Sequence, residues 1–333
     1  MNKVFFQRAI PILLAGLLLW YVMKDVPLQE IGDQFRSTNY GWLSVVGVLI
    51  GLFYVLRAAR WQLTLQAIGY RPSLFRATVA LLAGSLASMI VPGAGELTRC
   101  GTLQRTDGVP ISQGIGSVVA ERIVELFMLI LVLLLTVTLE FSRAKTYLSS
   151  LTLALPGRTV ILVGGTLVTV VALAIWQALK YPGLQKHPLL IKSVRIAKGF
   201  GQGFMAIRQL PNPGLFIALT ILIQAFSWLS TYVLLLTSND THDLPPTAAL
   251  TILAVSSLGG LAVPTQGGIG TYHFFVSRAL ILYGFTAAQG AVVATYLHAV
   301  GFGFNLLLSS ASFLLLHILI ARRTSTSQPE HTV

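Results

Sequence analysis

Apolar residues run along this chain in long blocks separated by short polar stretches, rather than alternating with them. A helix needs roughly 20 mostly apolar residues to cross the hydrocarbon core of a bilayer. Blocks at about 5–23, 41–66, 114–139, 158–178, 213–238 and 288–320 meet that need and predict six spanning helices. Two further blocks, about 74–98 and 246–283, are interrupted by turn-forming clusters. The first holds Val91-Pro92-Gly93-Ala94-Gly95, the second Val263-Pro264-Thr265-Gln266-Gly267-Gly268-Ile269-Gly270. Proline removes a backbone donor and glycine supplies unusual dihedrals, so a helix breaks at each cluster. Backbone that leaves the helix at membrane depth survives only inside protein or beside a watery cavity. Interruptions in corresponding places are also a pointer to a transport site. Both blocks are therefore expected to form re-entrant or broken helical hairpins, with Pro92, Gly93, Gly95, Pro264, Gly267, Gly268 and Gly270 as the breaks.

The two hairpins resemble each other in sequence. A shift of 172 places Ser85-Leu86 on Ser257-Leu258, Val91-Pro92 on Val263-Pro264, and Gly95 on Gly267. A shift of 176 then places Gly108, Gln113 and Gly114 on Gly284, Gln289 and Gly290, and Arg122 opposite His298. This predicts a duplicated helix–hairpin–helix unit, 41–139 and 213–320, the second inverted in the membrane. The remaining divisions are an N-terminal anchor and outer loop (1–40), a connecting spanning helix with a basic cytoplasmic segment (140–212), and a polar cytoplasmic tail (321–333).

Composition agrees with a membrane chain. Of 333 residues 54% are hydrophobic and only 10% charged, with mean hydropathy +0.76; soluble domains run near about 25% charged. A cytosolic enzyme, a nucleic-acid module and a disordered chain are excluded. The net charge of +12 reads as basic cytoplasmic loops that set orientation. Residues 179–212 carry Lys180, Lys186, Lys192, Arg195, Lys198 and Arg208 with no acid, which predicts a cytoplasmic segment, plausible as an amphipathic helix on the inner leaflet. Loop 239–247, with Asp240 and Asp243, is expected outside, and 140–157 also falls outside despite Arg143 and Lys145. Lys3 and Arg8 ahead of an apolar run resemble a signal peptide, but no small-x-small cleavage site follows, so a retained anchor with its N-terminus inside is expected. The single Cys100 excludes a disulfide framework and reads as a buried apolar side chain.

Ionisable side chains within apolar spans are costly and mark function by default. Glu121-Arg122-Ile123-Val124-Glu125 places Glu121 and Glu125 on one helix face, with Arg122 and Glu125 at pairing distance. Unless a proton is retained, this set needs another arginine. Arg57 and Arg60, three apart beside Trp61, present planar forks suited to phosphate. Glu96 and Arg99 follow the first glycine break, where free backbone amides favour anions, and are candidates for a local gate or a headgroup contact. His298, with Tyr296 and Asn305, lies in the last long span. The spaced glycines at 267–270 lack the preceding strand and following lysine of a nucleotide site. Metal-protease, nucleophile-elbow and paired-aspartate motifs are absent, so no catalytic residue, metal or cofactor is expected.

Taken together, Arg57-x-x-Arg60-Trp61, Val91-Pro92-Gly93-Ala94-Gly95-Glu96-x-x-Arg99, Glu121-Arg122-x-x-Glu125 and Pro264-x-x-Gly-Gly-x-Gly resemble the lysylphosphatidylglycerol synthase transmembrane-region family, over about residues 5–320. The resemblance implies a flippase-like membrane module that moves a lipid between leaflets. The family often has Asp where this chain has Glu125, and an acid after the last glycine where this chain has Thr271-Tyr272. Fused members carry a soluble aminoacyl-transferase domain after the membrane part; none follows here before Val333, so no synthase activity is expected.

The expectation is an all-α polytopic protein of the bacterial inner membrane with both termini cytoplasmic. Arg57, Arg60, Arg99 and Arg122 would attract a phosphate, and Glu96, Glu121 and Glu125 would balance them, with His298 contributing from the last span. The lipid would be an anionic or zwitterionic phospholipid, or a polyprenyl-linked carrier. A homo-oligomer or an envelope-biosynthesis enzyme is the protein partner considered; nucleic acid is not. The alternatives are a lipid-modifying transferase, for which Asp107 is the candidate acid, and a non-transporting partner subunit.

Overall fold

The computed structural model describes residues 3–24, 26–150 and 210–326. The expected span 158–178 and all but the last residues of the basic segment 179–212 lie outside the described residues. The chain divides into two compact units, residues 1–136 with 210–333, and residues 137–209. Among the described residues the structure is helical, with no strand.

In the first unit the elements in chain order are α1 (Lys3–Met23), α2 (Leu28–Arg36), α3 (Tyr40–Ala67), α4 (Leu74–Ile90), α5 (Ala94–Asp107) and α6 (Ile111–Leu139). Helix α7 (Phe141–Ser150) belongs to the second unit. The first unit resumes with α8 (Pro213–Leu235), α9 (Pro246–Ala262), α10 (Thr271–Leu280) and α11 (Ala287–Thr326). Among the described residues three stretches are long and apolar enough to cross a membrane: Tyr40–Ala67, Pro213–Leu235 and Ala287–Leu316. Shorter apolar helices cover Ile12–Met23, Leu74–Ile90 and Pro246–Ala262. Helix α6 has 29 residues and carries Glu121, Arg122 and Glu125 ahead of an apolar second half.

Local chemistry sets the helix starts. The Asn39 side chain accepts from the backbone N–H groups of Gly41 and Trp42 at 3.0 and 3.3 Å, capping α3. Ser73 caps α4 by accepting from Arg76 N–H at 3.3 Å. Asn212 caps α8, where Pro213 occupies the first turn and costs no hydrogen bond.

Both interrupted blocks fold as antiparallel helical hairpins. Val91 and Pro92 leave α4 extended, and Gly93 at φ +82° reverses the chain into α5. Arg76 and Asp107 pair at 2.8 Å at the open end. At the tip, Gly95 N–H donates to Ser88 Oγ at 3.1 Å. The second tip is longer: an extended stretch, one tight turn with Gly267 at φ +57°, then α10. Thr271 Oγ1 donates to the Val263 carbonyl at 3.0 Å at that tip, and the Thr251 and Tyr283 hydroxyls meet at 2.7 Å at the open end.

Several expectations need correction. Gly95 is not a break; it sits in the first turn of α5 and packs against Gly84, where small residues let backbones approach. The supposed outer loops hold helices. Helix α7 carries a Glu140–Arg143 pair at 2.8 Å at its start. Helix α2 is amphipathic, with Phe35 set edge-on against Tyr296 at 5.2 Å between ring centres. Thr38 and Thr237 hydroxyls then share the buried Tyr296 hydroxyl at 3.1 and 2.7 Å, tying the end of α2 to α8 and α11.

The core follows the hairpins. Val46, Val233, Leu235, Ile252, Val276 and Leu297 pack together beneath the second hairpin. Trp61, Leu65, Ala77, Ala80 and Leu103 pack beneath the first. Helix α3 contributes to both. Large apolar side chains such as Leu17, Val48, Leu134, Ile221, Leu307 and Leu314 remain exposed, as lipid-facing residues do.

A methyl group on Gly95 would lie 2.2 Å from Ser88 Oγ and 2.4 Å from the Gly84 carbonyl oxygen, whereas one on Gly101 meets nothing within 4 Å. Gly95→Ala is therefore expected to destabilise the protein by about 1–3 kcal/mol. Gly101→Ala should leave it unchanged or slightly more stable through helix propensity. Melting temperatures in detergent check the difference in sign.

Candidate functional site

Seven of the eight residues that the sequence singles out as ionic or binding candidates meet in one place. Helix α3 brings Arg57 and Arg60 on successive turns of one face. The reversal at Gly93 starts α5 so that Glu96 and Arg99, three apart, project from its first two turns. Helix α6 brings Glu121, Arg122 and Glu125. The order of contact is Arg99 to Glu121 at 2.8 Å, Glu121 to Arg60 at 3.7 Å, and Arg60 to Glu125 at 3.1 Å. Glu125 also receives Arg57 at 3.0 Å and Arg122 at 2.8 Å. Arg122 closes the network by donating to the Glu96 carboxylate. Glu96 and Arg99 thus bind different partners on α6 and not each other, so they link the first hairpin tip to that helix.

Burial is graded across the network. Arg60 and Glu121 are 2% exposed, Arg57 22%, Glu125 28% and Arg122 54%. Two acids and one base on α6 would strand negative charge. Arginines from α3 and α5 supply the balance, and with all groups ionised four arginines against three glutamates leave one positive charge. Aromatic faces support the guanidiniums. Arg99 lies 4.8 Å over Trp61, Arg57 5.6 Å over Phe53 and Arg60 5.8 Å over Phe216. Trp61 is fixed in turn by donating its indole N–H to Ser117 Oγ at 3.0 Å. Arg60 Nε is buried and has no hydrogen-bond partner among the described residues.

Arg57, Arg60, Arg122 and Glu125 face a cavity of about 550 Å³. Its other walls include apolar side chains of α6 such as Leu126 and Leu129, Ser257, Gly260 and Leu261 of α9, and a polar edge of α8 formed by Thr220, Gln224 and Ser227. A charged rim beside apolar walls fits an amphiphile: an anionic group can sit on the arginines while hydrocarbon lies along the leucines.

His298 is not part of this cluster. Its Nε2 meets the Gly267 carbonyl at 2.9 Å, at the tip of the second hairpin. Its ring lies near His273, Tyr272 and Phe302, with ring centres 4.7, 5.1 and 5.7 Å away. His273 Nδ1 accepts from Gly270 N–H at 3.3 Å and so caps α10. His298 borders a second cavity of about 320 Å³, together with Ser227, Ser230, Thr231 and Asn305. Phe53 and Ser227 line both cavities.

Other sequence candidates take structural places. Cys100 is buried. Tyr296 holds α2, and Asn305 donates to the Gly301 carbonyl while accepting from Tyr54 at 2.6 Å. Asp107 accepts from Arg76 and Thr106. Among the described residues no group of His, Cys, Asp and Glu side chains is arranged to hold a metal ion. The polar edge of α8 was missed in the sequence. Its signal is the spacing Thr220, Gln224, Ser227, Thr231, which keeps to one helix face in an otherwise apolar span.

The network makes opposite demands at its two ends. Glu121→Ala would leave Arg60 and Arg99 buried without that carboxylate and is expected to cost about 3–5 kcal/mol. Arg122→Ala, at a side chain 54% exposed, should cost less than about 1 kcal/mol. Thermal melting of the purified protein checks this; equal destabilisation by the two changes contradicts the graded network.

Comparison with known proteins agrees with these observations. Residues 8–309 match the family described as the lysylphosphatidylglycerol synthase TM region. A UPF0104 membrane protein of Methanocaldococcus jannaschii is 24% identical over 122 residues, 36% of this chain and 36% of that protein. The alignment thus spans about a third of the relative's length. No solved structure gives a significant match. With a family match over most of its length and apolar helices long enough to span, this multi-pass membrane protein belongs to the lysylphosphatidylglycerol synthase transmembrane-region family.

Proposed function

We propose that the protein moves a phosphate-bearing lipid between the leaflets of the bacterial inner membrane. The observation that carries this reading is the Arg57–Arg60–Arg122–Glu125 rim of a cavity with apolar walls. A surplus positive charge and an unpartnered buried Arg60 Nε favour an anion there. In a low-dielectric site an arginine fork gains much from a phosphate, and little of that gain is lost to water. The acyl or polyprenyl chain would stay in lipid while the head group passes. Glu96, Glu121 and Glu125 hold the arginines apart and in place. The matched family is a transmembrane region and not the transferase domain, which supports transport over synthesis.

The finer architecture belongs to the same proposal: six spanning helices, two hairpins entering from opposite faces, an inverted repeat and cytoplasmic termini. One geometric correspondence favours the repeat. Arg122 and His298, paired by the 176-residue shift, each contact the tip of the preceding hairpin, at Glu96 and Gly267 respectively. The tips themselves align by the 172-residue shift. Membrane lipids are the partners this reading needs; a homo-oligomer or an envelope-biosynthesis enzyme remains a proposal of the sequence. The transferase alternative rested on Asp107, which is ion-paired to Arg76 at 2.8 Å and lies outside the linings of both cavities.

Reconstitution into liposomes with a fluorescent phospholipid tests the reading. Wild type should equilibrate the lipid between leaflets, and Arg57→Ala and Arg122→Ala should each slow it by about tenfold or more. Equal rates in wild type and both variants overturn the assigned role.

A further inference from the structure

Helix α8 carries no charged residue from Pro213 to Leu235, yet one of its faces is polar through the middle of its length. Thr220, Gln224 and Ser227 border the charged cavity; Ser227, Ser230 and Thr231 border the second one. Residues 220 to 231 span about 16 Å of helix. The stripe therefore runs without a gap from the arginine rim to the His298 cavity. Its chemistry changes along the way. The first cavity offers three guanidiniums and a carboxylate, whereas no acidic or basic Asp, Glu, Lys or Arg lines the second.

What the second cavity does offer is neutral hydrogen bonding beside ring faces. Ser230 Oγ is buried and has no hydrogen-bond partner among the described residues. Thr231 spends its proton on the Ser227 carbonyl at 2.9 Å, which leaves its oxygen free to accept. Asn305 stands opposite on α11, and Phe302 stacks on His298 at 26° between ring planes. An acyl chain alone would leave the Ser230 hydroxyl unsatisfied, at a cost that a hydroxyl-bearing ligand removes. A cationic head group would shed its water there and meet the ring faces of Phe53, Tyr272 and Phe302 but no carboxylate, so its charge would go without a counter-ion.

We infer that the transported head group is a phosphate diester of a neutral, hydroxyl-rich group, such as a polyol or a sugar, and not an aminoacylated cation. The juxtaposition that assigns it is the charged cavity for the phosphate and the uncharged α8 stripe leading into the His298 cavity for the hydroxyls. This inference rests on the translocation proposed above. The same head-group chemistry occurs on a glycerophospholipid and on a polyprenyl carrier.

The test uses the full chain in liposomes with three tail-labelled probes: phosphatidylglycerol, lysylphosphatidylglycerol and a polyprenyl phosphate hexose. The expected result is that at least one neutral-headed probe crosses on the order of tenfold faster than lysylphosphatidylglycerol, and the faster of the two identifies the source. Lysylphosphatidylglycerol crossing as fast as either overturns this inference and leaves translocation standing. Failure of all three to cross overturns translocation, and this inference with it. Ser230→Asp adds a carboxylate to the neutral cavity and should shift the ratio toward lysylphosphatidylglycerol by about tenfold, while Ser230→Asn should not. A folded Ser230→Asp protein with an unchanged ratio also overturns the inference. Should that variant not fold, the wild-type ratio decides alone.

Discussion

A guanidinium within a membrane protein must be met by carboxylate, aromatic face or ligand, because hydrocarbon offers it nothing. That constraint organises this molecule. Arg60 and Arg99 are almost wholly buried, and Glu121 between them is equally so. Alone, each would be a buried charge without a counter-charge. Their mutual satisfaction requires α3, α5 and α6 at one point, and so requires the first hairpin to turn where it does. The Gly93 reversal and the Gly84–Gly95 approach are the backbone means to that end. Two things remain to be met among the described residues: a net positive charge and the Arg60 Nε proton.

From that point outward the protein becomes more open and then less charged. Arg57, Glu125 and Arg122 carry the network to the cavity surface, where partial exposure makes them able to exchange partners. Beyond Phe53 and Ser227 the polar groups continue as hydroxyls, an amide and imidazole. Such a sequence of environments separates two demands of a lipid head group. Phosphate needs charge and fixed donors; the substituent beyond it needs hydrogen bonds without charge. Helix α8 serves both because it borders both cavities.

Much of the site was legible in the sequence because ions in apolar blocks are conspicuous. Glu121, Arg122 and Glu125 stand out on cost, Arg57 and Arg60 as paired forks, and Glu96 and Arg99 by following a glycine break; the glycine clusters at 91–95 and 263–270 announce both hairpins. Partner choice was not legible, since i,i+3 spacing suggests Glu96–Arg99 whereas the fold offers Arg99 a better-buried carboxylate in Glu121. Gly95 shared a cluster with true breaks, and only the Gly84 contact separates close packing from chain reversal. Helices α2 and α7 were read as loops because hydropathy over a spanning window averages out short amphipathic segments. The hydroxyl stripe on α8 went unnoticed for a similar reason: threonine and serine scarcely lower the mean hydropathy of a span.

The central claim is that water and a lipid head group share the crevice between the arginine rim and α8. Thiol labelling in sealed vesicles tests this most directly, because Cys100 is buried and gives little background. A cysteine in place of Gln224, at the middle of an apolar helix, should react with a membrane-impermeant reagent, and added phosphatidylglycerol should protect it. A residue equally deep but lipid-facing, such as Ile221 changed to cysteine, should not react. If the cysteine at 224 is as inert as the one at 221, the crevice is dry and the account is wrong.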